Sequence, residues 1–262
     1  ALDVVPKIAN LYDEPFSDSS QIPTFLVSQM AKEHVTVALT GDAADELFCG
    51  YNRYMMTSSA WNRLKSFPLP IRSLLSRLIT TLSPSTLNKL LYPVKKIMFN
   101  GPSVNIGDKA HKAAGVLTSQ SIDELYKRLV SQCTDPAALV IAGHEPLTVL
   151  TDVKRKPLCD NPIESMMAID MLSYMVDDIL VKVDRAGMGV SLETRAPFLD
   201  HAVVELAWRL PLEYKLREGR SKWVLREVLR KHIPEELYER PKQGFGIPIS
   251  IWMRSDLKDW VN

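Results

Sequence analysis

Three carboxylates fall within five residues in the segment that runs from Thr40 to Tyr51, directly after an apolar run. Asp42 and Asp45 are three residues apart, so their side chains share one face once a helix begins. Carboxylates placed in this way can hold Mg²⁺, which binds through one or two carboxylates together with phosphate oxygens. Thr40 and Gly41 ahead of them form a small turn with an accessible backbone. The same acids could instead complement the positive N-terminus of a helix, and the sequence leaves both interpretations open.

A second concentration of charge lies on one Met- and Leu-rich segment. Asp178 and Lys182 are four residues apart and can pair on a helix face. Asp177, Asp184 and Arg185 add further charge to the same polar side. A solvated charged face is one interpretation, and a buried set of acids that requires partners is the other.

Basic residues recur at every fourth position in a third segment, where Lys222, Arg226 and Arg230 form a stripe opposite apolar residues. A lysine at the start of a helix works against the helix dipole. Together with the backbone N–H groups there, it would suit a phosphate or pyrophosphate, although an ordinary solvated face has the same pattern. A later loop with two glycines between prolines carries Arg240 and Lys242, and on its own it is a weak signal.

The hydrophobic pattern predicts the elements that position these residues. A helix is predicted over residues 19–34, and the β-branched run at 35–39 is typical of a strand buried on both faces. A new helix is expected after Gly41. This order of helix, strand and helix is typical of a parallel sheet, in which ligands bind beyond the carboxyl ends of the strands.

The rest of the chain is predicted to be helical. Residues 60–150 show helical apolar spacing interrupted by prolines and contain no convincing strand, and a loop is expected around 100–119. Further helices are predicted over 163–183 and 222–232. The long helix over 163–183 should bury one apolar face, formed by Ile169, Leu172, Val176, Ile179 and Val183.

Composition excludes several classes of protein. The 262 residues include 32 Lys+Arg and 31 Asp+Glu, and this net charge of +1 argues against a whole-protein electrostatic grip on nucleic acid or on an anionic membrane. Three cysteines without CxxC spacing argue against a disulfide framework and favour a reducing compartment. The apolar runs are far shorter than the ~18 residues of a spanning helix. We therefore expect a cytoplasmic protein with small-molecule partners and neither nucleic acid nor membrane; the oligomeric state, a homodimer included, stays open.

Taken together and in order, the motifs resemble those of the synthetase domain of glutamine-hydrolysing asparagine synthetases. The resemblance is carried by both ends of the chain, and the helical middle supports it only by its length. The motifs are Asp13-Glu14-Pro15 followed by DSSQIP at 18–23, TGDAADELFCGYNRY at 40–54, VDDILVKVDRAGMGVSLETRAPFLDH at 176–201, the segment at 219–226, and RPKQGFGIP at 240–248.

The resemblance implies an α/β fold in which helices predominate. It corresponds to the C-terminal part of a parallel-sheet, Rossmann-like synthetase domain of the ATP-pyrophosphatase (adenine nucleotide alpha hydrolase) type, with a large helical portion. Residues 1–262 would form a partial domain of this kind. Within it, residues 1–55 would be the helix–strand–helix part with the nucleotide and metal motif, 56–160 a helical segment, and 161–262 a helical segment of the active site.

In that family, ATP adenylates the side-chain carboxylate of aspartate, and ammonia from glutamine displaces AMP from the β-aspartyl-AMP intermediate to give asparagine. The resemblance therefore implies ATP and Mg²⁺ as cofactors and aspartate or another carboxylate as substrate. Thr40 and Gly41 would contact ATP, and Asp45 would be a Mg²⁺ ligand. Lys222 would contact ATP and stabilise the charge that develops on the phosphates.

Two further acids would serve the amide-forming step. Asp42 stands where many family members have Glu, the acid that helps to deprotonate the attacking ammonia, and it is shorter by one methylene. Asp178 would support Asp42. The match to the family pattern slips by one residue at this point, so Asp177 is the alternative.

Two features of the family are not found in these 262 residues. One is the SGGxDS loop that binds pyrophosphate, and the other is the glutaminase domain with its N-terminal Cys nucleophile, since residue 1 is Ala and the first cysteine is Cys49. We expect both to lie upstream of Ala1, which would make the chain a fragment of an ATP-dependent carbon–nitrogen ligase. Two alternatives stay open: a related amidotransferase for another carboxylate in polysaccharide or secondary-metabolite assembly, and a non-catalytic helical binding module.

A polypeptide of these 262 residues alone is therefore expected to form no AMP, or a negligible amount, from ATP, aspartate and ammonia. The physical reason is that the loop that cradles the ATP phosphates in the family is not part of it. Chromatographic detection of AMP is the measurement, with the same mixture without protein as the control. AMP above that background would show the prediction to be wrong.

Overall fold

The computed structural model describes residues 2–90, 105–133, 135–152, 154–239, 244 and 246–261. Helices form most of its regular structure, as the sequence predicts, and the strands are short. The α-helices are α1 Val5–Ile8, α2 Gln21–Lys32, α3 Ala44–Leu47, α4 Asn52–Leu64, α5 Leu69–Thr81, α6 Pro84–Leu90, α7 Ile106–Leu117, α8 Ile122–Val130, α9 Pro162–Leu172, α10 Val181–Met188, α11 His201–Arg209, α12 Leu212–Lys215, α13 Trp223–Leu229, α14 Ile249–Trp252 and α15 Lys258–Val261. The strands are β1 Val37–Leu39, β2 Glu193–Arg195, β3 Leu216–Arg217 and β4 Arg220–Ser221.

The chain divides into two compact units. The first contains residues 1–51 and 167–262, and the second contains residues 52–166. Both ends of the chain therefore contribute to the first unit, which holds every predicted site residue that the structure describes.

A small parallel sheet lies in the first unit. β1 pairs with β2, with Val37 opposite Glu193 and Leu39 opposite Arg195. The expectation that this strand is buried on both faces is wrong within the described residues, because Leu39 is 73% exposed. The physical reason is that β1 has one neighbouring strand in the described part of the chain, so much of its surface is not covered.

Helix α2 forms where the sequence predicts it and packs against α10. The buried residues between the N-terminal segment and α10 are Val4, Ile22, Phe25 and Ala186. A second apolar cluster surrounds α3 and contains Ala43, Leu47, Phe48, Met175 and Ala207. This second cluster holds the segment that follows β1.

The long helix predicted over residues 163–183 is interrupted. α9 ends at Leu172, a π-helix follows over Met175–Leu180, and α10 continues from Val181. A π-helix closes its hydrogen bonds over one more residue per turn, which breaks the α-helical spacing of the side chains. The predicted apolar face is therefore wrong in part, since Leu172 is 55% and Val176 is 50% exposed.

In the second unit, α5 and α6 pack against α7, and α4 packs against α8. The expectation of a loop around 100–119 is wrong over Ile106–Leu117, which is helical, and residues 100–104 lie outside the described residues. Asn105 caps this helix, because its side chain accepts a hydrogen bond from the Asp108 N–H. The Gly107 N–H donates to the side-chain oxygen of Asn88, so the helix start is satisfied from a neighbouring element as well.

Among the described helices, none combines the length and the apolar character that crossing a membrane would require.

Two glycines of α7 should respond in opposite ways to a methyl group. A Cβ at Gly107 would lie 2.0 Å from the carbonyl oxygen of Pro84, whereas a Cβ at Gly115 has nothing within 4 Å. Gly107→Ala should lower the free energy of unfolding by about 1–3 kcal/mol, because backbone must move to admit the methyl group. Urea unfolding monitored by circular dichroism is the measurement.

Gly115→Ala is the matched control, and it should raise the free energy of unfolding by about 0.5–1 kcal/mol, since Ala is the better helix former. Equal effects of the two substitutions would contradict the close contact between α7 and Pro84.

Candidate functional site

A cavity of about 570 Å³ opens beside the carboxyl end of β1. Its wall contains three of the predicted site residues, Thr40, Asp42 and Asp45, together with Tyr51 and Lys182. A smaller cavity of about 280 Å³ shares Thr40 and Asp42 with it. Open space therefore lies where the helix–strand–helix order predicts a ligand.

An ion pair joins two of the segments that the sequence singles out. The Lys222 Nζ lies 3.1 Å from an Asp45 carboxylate oxygen, and each side chain is about one quarter exposed. Lys222 also donates its backbone N–H to the carbonyl oxygen of Phe48 at 3.0 Å. The hairpin of β3 and β4 delivers Lys222 to this position through a two-residue turn, Glu218-Gly219, in which both residues have positive φ.

Backbone conformations of low probability surround this ion pair. The φ values are 74° at Ala43, 56° at Cys49 and 54° at Lys222. All three lie in the left-handed region that residues other than Gly rarely adopt. Such strained conformations persist only where contacts with the surrounding structure hold them in place, and they cluster at functional sites. Ala43 lies directly before α3, Cys49 lies two residues after it, and Lys222 lies directly before α13.

Gly50 is required for the same ion pair. A Cβ at this residue would lie 2.0 Å from the Asp45 Oδ1 and 2.3 Å from the Lys222 Cε. Both contacts are shorter than non-bonded atoms allow, so any side chain here would displace one of the two partners. The glycine therefore makes room for the meeting of Lys222 and Asp45.

A buried lysine, Lys182, lies at the cavity wall. The Lys182 Nζ is 2.6 Å from an Asp18 carboxylate oxygen and 4.0 Å from Asp178, so the predicted pair of Asp178 and Lys182 is a long one. Ser20 donates to Asp18 from its N–H and its hydroxyl, each at 2.8 Å. Burial raises the pKa of the Asp18 carboxyl, but the hydrogen bonds from Lys182 and Ser20 outweigh it and hold the pKa below its ordinary value.

The two candidate acids on this helix differ in their surroundings. Asp178 is half-buried beside Lys182, whereas Asp177 is exposed. Asp178 does not line either of these two cavities. The nearby phenol of Tyr12 has its pKa raised to about 12, first by burial and then by the charges of Asp18 and Asp178.

Glu46 and Tyr51 form a contact that the sequence does not reveal. Glu46 is 1% exposed, and its carboxylate accepts a hydrogen bond of 2.7 Å from the Tyr51 hydroxyl. Burial raises the pKa of Glu46, while the hydrogen bond from Tyr51 works in the opposite direction. Burial and the charge of Glu46 raise the pKa of Tyr51. This bond anchors the residue next to Asp45.

The remaining predicted residues are placed as follows. The Thr40 hydroxyl oxygen is buried and makes no hydrogen bond with the described residues. Gly41 is exposed, and nothing lies within 4 Å of the position of a Cβ there. In the basic stripe, Arg226 pairs with Glu239 and Arg230 with Glu227, so this stripe is not simply a solvated face. Arg240 and Lys242 lie outside the described residues.

Within the described ranges, no three His, Cys, Asp or Glu side chains converge in a way that could hold a metal ion by themselves. A magnesium ion at Asp45 would therefore need other ligands, and phosphate oxygens and water are the ones that Mg²⁺ ordinarily keeps.

Sequence reasoning did not pair Lys182 with Asp18, because 164 residues separate them and no local pattern connects them. The signal that was present is the cluster of small polar residues around Asp18 directly before α2, which the sequence shows as a helix start.

Comparison with known proteins identifies relatives over the whole chain. The asparagine synthase family model matches residues 1–262. Asparagine synthetase [glutamine-hydrolyzing] 1 of Bacillus subtilis is 32% identical over 264 residues, which is 99% of this chain and 38% of that protein. A putative asparagine synthetase [glutamine-hydrolyzing] of Mycobacterium bovis is 31% identical, over 98% of this chain and 37% of that protein. The amidase chyE of Penicillium rubens is 23% identical over 87% of this chain and 34% of that protein.

The chain thus spans 38% or less of the length of these relatives. No solved structure matches it significantly.

The Asp18 carboxylate should stabilise the fold in a pH-dependent way. Its pKa is lower in the folded chain than in the unfolded one, so its contribution is present above the ordinary Asp value of about 4 and is lost as the pH falls through the folded-state pKa. Asp18→Asn should lower the free energy of unfolding by about 1.5–3 kcal/mol at pH 7, because it removes a charged partner of Lys182. The measurement is urea unfolding from pH 7 down to pH 3.

The difference between the natural chain and the variant should begin to shrink below about pH 4, where Asp18 of the unfolded chain becomes protonated while Asp18 of the folded chain is still charged. Asp13→Asn is the control, because Asp13 is 79% exposed in its pair with Arg185 and such pairs contribute little. A difference at Asp18 that stays constant across this pH range would contradict the assignment.

Proposed function

Because the chain belongs to the asparagine synthase family, we propose that it forms the ATP-dependent synthetase part of a glutamine-hydrolysing asparagine synthetase. The proposed reaction converts aspartate, ATP and glutamine-derived ammonia to asparagine, AMP and pyrophosphate by way of β-aspartyl-AMP. The observation that carries this proposal is the ion pair of Lys222 with Asp45, a wall residue of the cavity that also contains Thr40 and Asp42.

The fold supports this assignment at the level of the sheet. β1 and β2 are parallel, and both cavities include Thr40 and Asp42 directly after the carboxyl end of β1, which is where open parallel sheets bind their ligands. We propose that the two strands belong to a sheet of the adenine nucleotide alpha hydrolase type, to which other parts of the parent protein contribute.

The residues at the cavity fit ATP and Mg²⁺. The Thr40 hydroxyl oxygen is buried with no hydrogen bond to the described residues, so it is available to a ligand. Asp45 and Lys222 neutralise each other in this structure. Phosphate oxygens could replace Asp45 as the partner of Lys222, and Mg²⁺ could replace Lys222 as the partner of Asp45, so both charges stay compensated on binding. When bound, the metal would neutralise phosphate charge.

In the amide-forming step, nitrogen would bond to the carbonyl carbon of the acyl adenylate, the bond from that carbon to the phosphate oxygen would break, and AMP would leave. Asp42 would accept the proton that the nitrogen loses, and its half-buried position at both cavities suits a general base. Asp178 would act through Lys182, whose Nζ lies 4.0 Å from it and which shares the cavity wall with Asp42.

A carboxylate other than aspartate is a second candidate for the substrate. Amidases of Penicillium rubens and Gibberella zeae are among the distant relatives, and their names do not refer to asparagine. A related amidotransferase for a different carboxylate would use the same adenylation residues. Release of pyrophosphate by the full-length parent protein, measured with aspartate and with a panel of other carboxylates, separates the two candidates; release without dependence on aspartate would reject asparagine synthesis.

Substitution of Lys222 tests the proposed site directly. In the full-length parent protein, Lys222→Met should lower kcat for aspartate-dependent pyrophosphate release by about 100-fold or more. The variant loses the positive charge that would stabilise the negative charge developing on the phosphates. Gly50→Ala should cause a comparable fall although it retains both Lys222 and Asp45, because the added methyl group forces them apart. A coupled assay for pyrophosphate is the measurement.

Arg230→Met is the matched control, because Arg230 lies directly after the same helix with its side chain 65% exposed and should leave kcat nearly unchanged. Full activity of Lys222→Met, with the variant folded by circular dichroism, would reject the catalytic role and favour the non-catalytic binding module.

A further inference from the structure

Helix α5 in the second unit packs with its polar side and leaves its apolar side exposed. On the packed side, Arg72 donates hydrogen bonds to the carbonyl oxygens of Leu117 and Ser119 at 3.0 and 2.6 Å. Ser76 donates to the carbonyl oxygen of Ala114 at 2.9 Å. A surface helix ordinarily buries its apolar stripe and exposes its polar residues, so α5 has the reverse arrangement.

The exposed side of α5 carries a continuous apolar stripe. Its four residues within α5 recur at helical spacing and fall within an arc of about 100° around the helix axis, and two more lie just outside the ends of the helix. Their exposures lie between 37% for Leu82 and 59% for Leu74, so the described part of the chain does not cover the stripe. The stripe consists of Phe67, Ile71, Leu74, Leu75, Leu78 and Leu82.

The segment around this stripe is strongly basic. Residues 52–120 contain 10 Lys+Arg and a single acid, Asp108. Arg63, Lys65 and Arg77, which precede or lie on α5, are exposed. One acid cannot neutralise these bases within the segment, so the segment has a positive net charge, although the whole chain has a net charge of only +1.

An apolar stripe flanked by bases fits one kind of partner best. Amphipathic helices of this composition lie along bilayer surfaces, with the apolar face in the boundary between head groups and acyl chains and the bases against anionic lipids. Nucleic acid would use the bases but not the stripe.

We propose that α5 is the site at which this protein binds the surface of an anionic bilayer. The 13 residues of α5 extend over about 20 Å, so the helix would lie in the plane of the surface and would not cross it. The sequence-based expectation of no membrane partner was drawn from the net charge of the whole chain. That value averages the basic segment with the remaining residues, in which acids outnumber bases by eight.

The test is flotation of the full-length parent protein with lipid vesicles. The protein should float with vesicles of phosphatidylcholine and phosphatidylglycerol and not with phosphatidylcholine alone. The double substitution Leu74→Ser and Leu78→Ser should weaken the partition onto the mixed vesicles at least about tenfold, because two exposed leucines no longer enter the bilayer. The double substitution Lys65→Glu and Arg77→Glu should weaken it to a similar extent, and added salt should do the same.

The matched control is the double substitution Leu172→Ser and Leu206→Ser, which changes two leucines that are 55% and 57% exposed in the other unit and should leave vesicle binding unchanged. Circular dichroism checks the fold of each variant, and the charge variants and the salt series keep the test valid if the serine variant does not fold. No binding to mixed vesicles, or equal losses in stripe and control variants, would overturn the proposal. A change of oligomeric mass in the stripe variant without lipid would identify a protein interface instead.

Discussion

The ion pair between Lys222 and Asp45 depends on the absence of a side chain at residue 50, and much of the surrounding geometry follows from it. A methyl group there would overlap both partners. Cys49, directly before residue 50, and Lys222 itself both have left-handed backbone conformations. The bond from the Lys222 N–H to Phe48 fixes the two segments to each other at the level of the backbone. A tight turn, a short hairpin and one glycine therefore bring together two charges that are 177 residues apart in the chain.

Three basic residues in or near the cavity wall each have a counter-charge within the chain. Lys222 has Asp45, Lys182 has Asp18, and the next base of the stripe, Arg226, has Glu239. Removing one member of such a half-buried pair leaves the other uncompensated, which is costly. A charged ligand that binds Lys222 or Lys182 in this cavity would therefore exchange partners with these pairs.

Sequence patterns predicted those features of the site that depend on near neighbours. The acids after β1, the helix start at Ser20 and the basic residue at 222 could be placed because spacing and turn chemistry act over a few residues. The partner of Lys182, the exposure of Leu39 and the helix at 106–117 could not. Each of these depends on elements remote in sequence, as when Asn88 satisfies the N–H of Gly107 and Pro84 leaves that residue no room for a Cβ. The bond between Glu46 and Tyr51 is an exception, because the sequence pattern did not indicate it although the two residues are only five positions apart.

Asp177 and Asp178, the two alternatives for the acid that supports Asp42, both lie in the π-helix over Met175–Leu180. A helix that accommodates one additional residue in a wide turn keeps its two halves in place, so the walls that they build do not move. A sequence match that follows the N-terminal half of the helix then assigns the role to one of the two acids, and a match that follows the C-terminal half assigns it to the other. Related chains could differ by the insertion or deletion of a single residue here and still keep the same cavity. Equivalent acids in such chains are therefore recognised by their position beside Lys182 and not by their number in the sequence.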